Sequence, residues 1–203
     1  MSDSAAGLTL HGEFVDLRAL RVDDAALTFA WRQGERAMLL NKGADTVEQQ
    51  ARWIASRSAS EHNFIIALKS GQPVGMVALS GIDTVNSHAE PGRFLIGDEP
   101  AARGVPVAAE AMLLIYELAF DRLGLHRVFG TVAADNTLMM KWQRYMGMSE
   151  EGRLREHYFI NGRFQDAVMF GLLETDYRRT AQRRLKGMIA AARLHPAPNT
   201  PKE

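Results

Sequence analysis

Arg93-Phe-Leu-Ile-Gly-Asp-Glu-Pro-Ala-Ala-Arg-Gly-Val-Pro-Val-Ala-Ala-Glu110 is the stretch on which the reading of this chain turns. Residues 93–97 are apolar enough for a strand and run into a turn holding Arg103-Gly104. Beyond the turn, Val107, Ala111, Leu114 and Leu118 recur at steps of three and four, which predicts an amphipathic helix over 105–123 with Gly124 as its stop. A strand, a glycine turn and a helix in succession leave unpaired N–H groups pointing one way at the helix start, an arrangement suited to an anion. A second apolar strand, 127–133, follows, and Asp135-Asn136 heads a second helix.

On the N-terminal side, residues 8–20 alternate loosely and read as a strand or hairpin. Asp23 and Asp24 stand where caps belong for a helix over 26–31, and Thr46-x-x-Gln49 is a capping box for a helix over 47–58. Strands at 63–68 and 74–80 flank Lys69-Ser-Gly-Gln-Pro73, a hairpin turn, and 81–92 reads as a polar loop. On the C-terminal side, strands at 154–160 and 163–172 enclose Asn161-Gly162, a type I′ hairpin signal. Residues 174–194 carry an apolar stripe (Tyr177, Ala181, Leu185, Met188, Ala192) beside arginines. Residues 174–203 hold seven Lys or Arg against three Asp or Glu. A basic amphipathic helix can meet a membrane or an acidic partner, but a helix docked on the domain with a solvated basic face is the favoured reading. The proline-rich 195–203 reads as a disordered tail.

Composition sets the outer bounds. At 203 residues, 46% of them apolar, the chain suits one domain with a full core. Twenty-four basic side chains balance 24 acidic ones, so charge offers nothing to a nucleic acid. There is no cysteine, hence no disulfide, thiol nucleophile or thiolate metal site. Neither a signal peptide nor a run of roughly 20 apolar residues is present, and a cytoplasmic protein without a membrane span is expected. No His, Asp and Glu spacing suggests a metal.

Four segments in order, Pro100-x-x-Arg103-Gly104-x-x-x-Ala108-x-Glu110-Ala111, Leu123-Gly-Leu-His-Arg-Val128, Asp135-Asn136 and Gly147-Met148, resemble the GCN5-related N-acetyltransferase (GNAT) superfamily. Trp31-Arg32 and the segment Gly152-Arg-Leu-Arg-Glu-His-Tyr-Phe159 are similar to the branch holding ribosomal-protein N-terminal acetyltransferases and sugar-nucleotide N-acetyltransferases of the pseudaminic acid pathway. The resemblance implies an α/β fold: a mixed, mostly antiparallel sheet of about seven strands, splayed where coenzyme A enters, with helices on both faces. It assigns residues 8–173 to the acetyltransferase domain and leaves 174–194 as an added helix. It also implies acetyl-CoA as co-substrate, held at Ala102, Arg103, Gly104, Val105, Pro106 and Val107. Ile96, Gly97 and Asp98 would meet pantetheine and the thioester, and Asn136 the cofactor arm. The acceptor side would include Trp31, Arg32, His157 and Tyr158, although the residues alone read equally well as a core tryptophan with a solvated arginine, and a histidine on an alternating strand is more often a packing or surface residue.

Two positions depart from the family pattern. Pro106 replaces the second glycine of the turn; a proline suits the first helical position but removes an N–H that can face a phosphate. Hydrogen bonds to charged groups are worth about 1.5–3 kcal/mol, so cofactor binding would weaken roughly 10- to 150-fold. Gln143 stands where many relatives carry a tyrosine that protonates the departing thiolate, and a glutamine cannot give up a proton. Glu90 is the candidate base, with a solvated loop glutamate as its plainer reading. The expected function is acetyl transfer to the amine of a small molecule, such as an amino sugar nucleotide, with a homodimer admissible. A protein N-terminal acetyltransferase and a non-catalytic acyl-CoA-binding protein are the alternatives.

Overall fold

The computed structural model describes residues 7–40, 43–58 and 60–194, so the expectation for 195–203 lies outside the described residues. Eight strands form one sheet: β1 (Thr9–His11), β2 (Val15–Ala19), β3 (His62–Leu68), β4 (Pro73–Asp83), β5 (His88–Ile96), β6 (Arg127–Ala133), β7 (Ser149–Ile160) and β8 (Arg163–Leu173). Their order is β1-β2-β3-β4-β5-β6-β8-β7. Every neighbour is antiparallel except β5 and β6. Residues 8–20 form the β1–β2 hairpin, which takes the sheet from the expected seven strands to eight. The expected loop at 81–92 is mostly strand. Asp83 closes a tight turn by accepting from the N–H groups of Val85 (2.9 Å) and Asn86 (2.8 Å), and only 84–87 separates β4 from β5. Asn161 and Gly162 both have positive φ, 52° and 76°, as the I′ turn requires.

The parallel contact is brief. β5 and β6 pair only at His88–Arg127 and Ala89–Val128, and then diverge. Two features of β5 account for it. Pro91 has no N–H to give a ladder. Just beyond, the register against β4 jumps from Ala78–Gly92 to Met76–Leu95, a bulge in which Arg93 takes φ +53°. A bulge bends its strand and re-aims a side chain. Here it carries β5 away from β6 and turns Arg93 toward Glu61 and Asn63, whose oxygens accept from Nη1 at 3.0 Å.

Alternate residues of the central strands build two cores on opposite faces. Phe64, Ile66, Val77 and Leu79 join the larger core, and Ile65, Met76 and Leu95 join Trp31 and Ala37 in the smaller one. The smaller core lies under α1 (Ala25–Gln33), with α2 (Val47–Ala55) alongside. The N-cap of α2 is Thr46, as its capping box predicts, with Gln49 N–H donating to Thr46 Oγ1 at 3.2 Å. Asp24, at the head of α1, caps differently from expectation. Its carboxylate accepts from the Arg18 guanidinium at 2.7 and 2.8 Å and from Arg21 N–H at 2.9 Å.

After the four-residue α3 (Glu99–Ala102), the larger core is built around α4 (Val107–Tyr116). α4 starts two residues later than periodicity predicts, because Pro106 is its N-cap residue and not its first helical one. It continues as a π-turn, Glu117–Arg122. From Ala109 to Tyr116 every residue is buried, so the helix is not amphipathic. The sheet covers one side, and α7 (Gln182–Leu194) packs along another. The Tyr177 ring, ahead of α7 and beyond the short α6 (Glu174–Asp176), stacks on Phe120 at 4.8 Å and meets Tyr116 edge-on at 5.7 Å. The buried stripe of this C-terminal segment runs through Tyr177, Ala181, Leu185 and Ile189; Met188 and Ala192 lie at its margins. No helix of the described residues is long and apolar enough to cross a membrane.

Candidate active site

The divergence of β5 from β6 opens a cleft with two connected chambers. The first, about 700 Å³, is lined by Ile96, Ala102, Arg103, Val105 and Val107, and by Asn136 with Leu138 and Met139 from α5 (Thr137–Tyr145). Asp98 caps α3, its Oδ1 accepting from Ala101 N–H at 3.1 Å. Gly104 then turns the chain at φ +75°, a conformation costly for residues with a Cβ. Val107 N–H donates to Val105 O at 2.8 Å and Glu110 N–H to Pro106 O at 3.0 Å. The N–H groups of Ala108 and Ala109 therefore have no intrahelical acceptor, and Ala108 itself lines the chamber. This end of α4, with the exposed Arg103 beside it, is suited to an anion.

Gly97 and Asp98 direct their N–H groups into the sheet. Both N–H groups donate to Val74 O on β4, at 2.9 and 3.1 Å. They face the sheet, so a cofactor arm could meet only the carbonyls of these two residues. Asn136 caps α5 through Oδ1, which accepts from Met139 N–H at 3.1 Å, while its side chain also lines both chambers.

The second chamber, about 320 Å³, shares Leu39, Leu40, Phe94, Asn136 and Met139 with the first. Glu90, Arg32, Arg93, Thr131, Gln143 and Tyr158 supply its polar groups, with Ser80. Glu90 is a strand residue and not the solvated loop glutamate of its plainer reading. It pairs with Ser80 across β4 and reaches over the gap, where a Cβ built on Gly130 would stand 3.8 Å from its Oε1. Burial pushes the Glu90 carboxyl up; Arg93 and His157 pull it partly back. Gln143 lies on α5 facing the cleft, and its buried Oε1 accepts no hydrogen bond from the protein. Tyr145 faces away, 48% exposed, beneath the Arg184 guanidinium.

The acceptor-side residues separate. Trp31 is a core residue packed so closely on Gly97 that a Cβ there would fall 2.1 Å from the indole, and it lines none of the chambers described here. Arg32, its neighbour, lines the second chamber and a third, about 460 Å³, beneath α2. A wide irregularity in β7, where 155–157 oppose a single β8 residue, leaves His157 exposed and Tyr158 in the cleft. The Tyr158 hydroxyl lies 2.5 Å from Thr131 Oγ1.

Two groups escaped the sequence reading. Arg93 looked like the start of a strand, and no local signal marks a bulge. Glu110, part of the motif, is buried (4% exposed), and its carboxylate accepts from the N–H groups of Glu13, Phe14 and Val15, each at 2.7 Å. It fastens the β1–β2 turn to α4, and no periodicity could have announced a partner 95 residues away.

The acetyltransferase (GNAT) domain family matches residues 15–149. The chain belongs to the GNAT acetyltransferase family. It is 34% identical over 110 residues to a Bacillus subtilis protein provisionally named as a ribosomal N-acetyltransferase, a span covering 54% of this chain and 58% of that one. It is 30% identical over 118 residues to the spermidine N(1)-acetyltransferase of Vibrio cholerae, covering 58% of this chain and 66% of that one. A GCN5-related N-acetyltransferase from Brucella melitensis superposes with a TM-score of 0.74 at 26% identity, over 89% of this chain and 84% of the other. This acetyltransferase is therefore an α/β enzyme of the N-acetyltransferase class. Neither of the two relatives named here carries an amino sugar nucleotide in its name, so that acceptor has no support from them.

Proposed function

We propose that this acetyltransferase binds acetyl-CoA in the first chamber, with its phosphates at the Arg103-Gly104 turn, and transfers the acetyl group to the amine of a small molecule in the second. The observation that carries this reading is the continuity of the cleft: an anion-suited helix end at one mouth leads between β5 and β6 to the half-buried carboxylate of Glu90. In the step, the amine nitrogen forms a bond to the thioester carbonyl carbon and the carbon–sulfur bond breaks. The amine proton passes to Glu90, directly or through a water, and burial raises the affinity of that carboxyl for a proton. Gln143 lines the same chamber with its Oε1 buried, and its amide N–H is a neutral donor to the departing sulfur that cannot transfer a proton. Tyr158 is the phenol lining this chamber and the group able to protonate the departing sulfur in place of a tyrosine at 143.

Calorimetry with acetyl-CoA, followed by thiol release over a panel of amines, tests the reading. Heat on binding and thiol release with a small amine are expected. No heat ends the proposal, and heat without release on any amine or peptide leaves a non-catalytic acyl-CoA-binding protein. The name of the Bacillus subtilis relative favours a second reading, transfer to a protein N-terminus. Turnover of peptides with no small amine accepted would put that reading first.

A further inference from the structure

A small, mostly apolar pocket adjoins the junction of the first two chambers. It holds about 40 Å³, and it shares Phe94 and Met139 with both chambers and Gln143 with the second. Gly92 on β5 and Gly130 on β6 line it from opposite banks of the seam. A Cβ at Gly92 would meet nothing within 4 Å, and one at Gly130 nothing nearer than 3.7 Å. Bare backbone at these two positions leaves the way in from the cleft unobstructed. Met112 and Tyr116 of α4 form the inner wall with Met148, all three buried. The Tyr116 hydroxyl is turned to Met148 Sδ at 4.0 Å. Among the described residues no charged side chain lines the pocket.

We propose that this pocket receives the acyl chain of the donor and admits one or two carbons beyond acetyl, so that propionyl- and butyryl-CoA serve beside acetyl-CoA. The inference rests on the acetyl-transfer reading of the cleft and adds the class of donor. With the phosphates at one end of the cleft and the amine near Glu90 at the other, the reacting carbonyl lies at the junction. From there an acyl chain can run into the second chamber, among Glu90, Arg32 and Arg93, or into the pocket. In the pocket an apolar chain leaves water and strips no charged group of its solvent. A dry cavity of about 150 Å³ accommodates benzene, roughly 25 Å³ per carbon. At about 40 Å³ the pocket accommodates one or two carbons, with the acetyl methyl at its mouth. Methionine walls adjust readily to such a chain. The bond changes are those of acetyl transfer. Nitrogen joins the carbonyl carbon, the carbon–sulfur bond breaks, the amine proton goes to Glu90, and the thiolate takes a proton from Tyr158 or water.

Calorimetry with acetyl-, propionyl-, butyryl-, hexanoyl- and succinyl-CoA tests this and needs no acceptor amine. A buried methylene is worth about fourfold in affinity. Propionyl- and butyryl-CoA should therefore bind at least as tightly as acetyl-CoA. Hexanoyl-CoA overfills the pocket and succinyl-CoA brings a carboxylate to an uncharged one, so both should bind at least about tenfold more weakly than butyryl-CoA. Met112→Ala deepens the pocket, and in it hexanoyl-CoA should gain at least about tenfold on acetyl-CoA. Gly92→Ala narrows the entrance and should lower propionyl-CoA against acetyl-CoA. Each readout is a ratio within one protein, so it does not depend on how much of a variant folds. Weaker binding of propionyl-CoA than of acetyl-CoA overturns the inference. So does equal binding of every donor, which would put the chain in the second chamber, and so does a Met112→Ala profile identical to wild type. All three leave acetyl transfer intact, whereas absence of heat with every acyl-CoA removes both.

Discussion

At the scale of single residues, the proposed roles of Glu90 and Gln143 make different demands on rate and pH. Glu90 must be ionised to take a proton, and burial raises its carboxyl. The pH–rate profile should therefore rise with a midpoint above the ordinary glutamate value of about 4.3, and Glu90→Gln should remove that limb and cost roughly 10²–10⁴-fold in rate. Gln143→Ala removes only a neutral hydrogen bond and should cost on the order of tenfold or less. Steady-state rates for the two variants decide between them; a thousandfold loss from Gln143→Ala beside a wild-type Glu90→Gln would reverse the roles. His62 makes a separate claim. Burial lowers its proton affinity, its Nδ1 lacks a partner, and its ring stacks on Phe64 at 6.2 Å. Because the folded value lies below the ordinary one of about 6.5, the neutral ring is favoured by folding. Its contribution is complete above about pH 6.5 and is lost as pH falls from there toward the folded value. Denaturation midpoints at pH 7.5 and 5.5 should differ more in wild type than in His62→Gln.

At the scale of elements, what was legible was whatever local pattern records. The Arg103-Gly104 turn, the capping at Thr46 and Asn136, the Asn161-Gly162 hairpin and the span of β6 all follow from neighbours within four residues. The bulge at Arg93, the paired beginning of β5 and the burial of α4 on all sides do not, because each depends on a partner distant in sequence. That is also why Trp31, offered by resemblance as an acceptor contact, proved to be packing against Gly97, while the adjacent Arg32 faces the chambers. Two expectations belong here. Pro106→Ala restores an N–H at the head of α4 at a φ of −77° that alanine also adopts, and acetyl-CoA should bind roughly 10- to 150-fold tighter by calorimetry if that N–H meets a phosphate. Weaker binding would show that no phosphate lies there. Glu110→Ala strands three N–H groups at the β1–β2 turn. At roughly 1–3 kcal/mol each when buried, stability measured in urea should fall by about 3 kcal/mol or more.

At the scale of the whole molecule, the C-terminal segment is not an appendage. Sequence likeness places the domain boundary at residue 173, yet Tyr177, Ala181 and Leu185 are fully buried against α4 and its π-turn. Arg178 pairs with Asp121 at 2.5 Å, and the Arg193 guanidinium pairs with Glu13 in the β1–β2 turn. Both ends of the described chain are thereby fastened to the same central helix. Leu185→Ala should cost about 2–5 kcal/mol in urea denaturation, as a core leucine does, and removal of residues 174–203 should leave no cooperative transition. A truncated chain with an unchanged midpoint would make the segment dispensable.

The two-residue contact between β5 and β6 has a dynamic consequence. Two half-sheets, β1–β5 and β6 with β8 and β7, share a single pair of ladder positions and are otherwise joined through the helices packed across them. Along most of the seam, backbone groups that an intact sheet would pair are instead turned toward the cleft. In the empty protein those amides should exchange with solvent deuterium faster than those of β3 and β4, which are paired on both sides. An elongated ligand lying in the gap acts as the absent strand. At a hundred times its dissociation constant it adds about 2.7 kcal/mol to global stability and slows exchange on both banks of the seam together. The enzyme should then be at its most rigid while it holds its substrate.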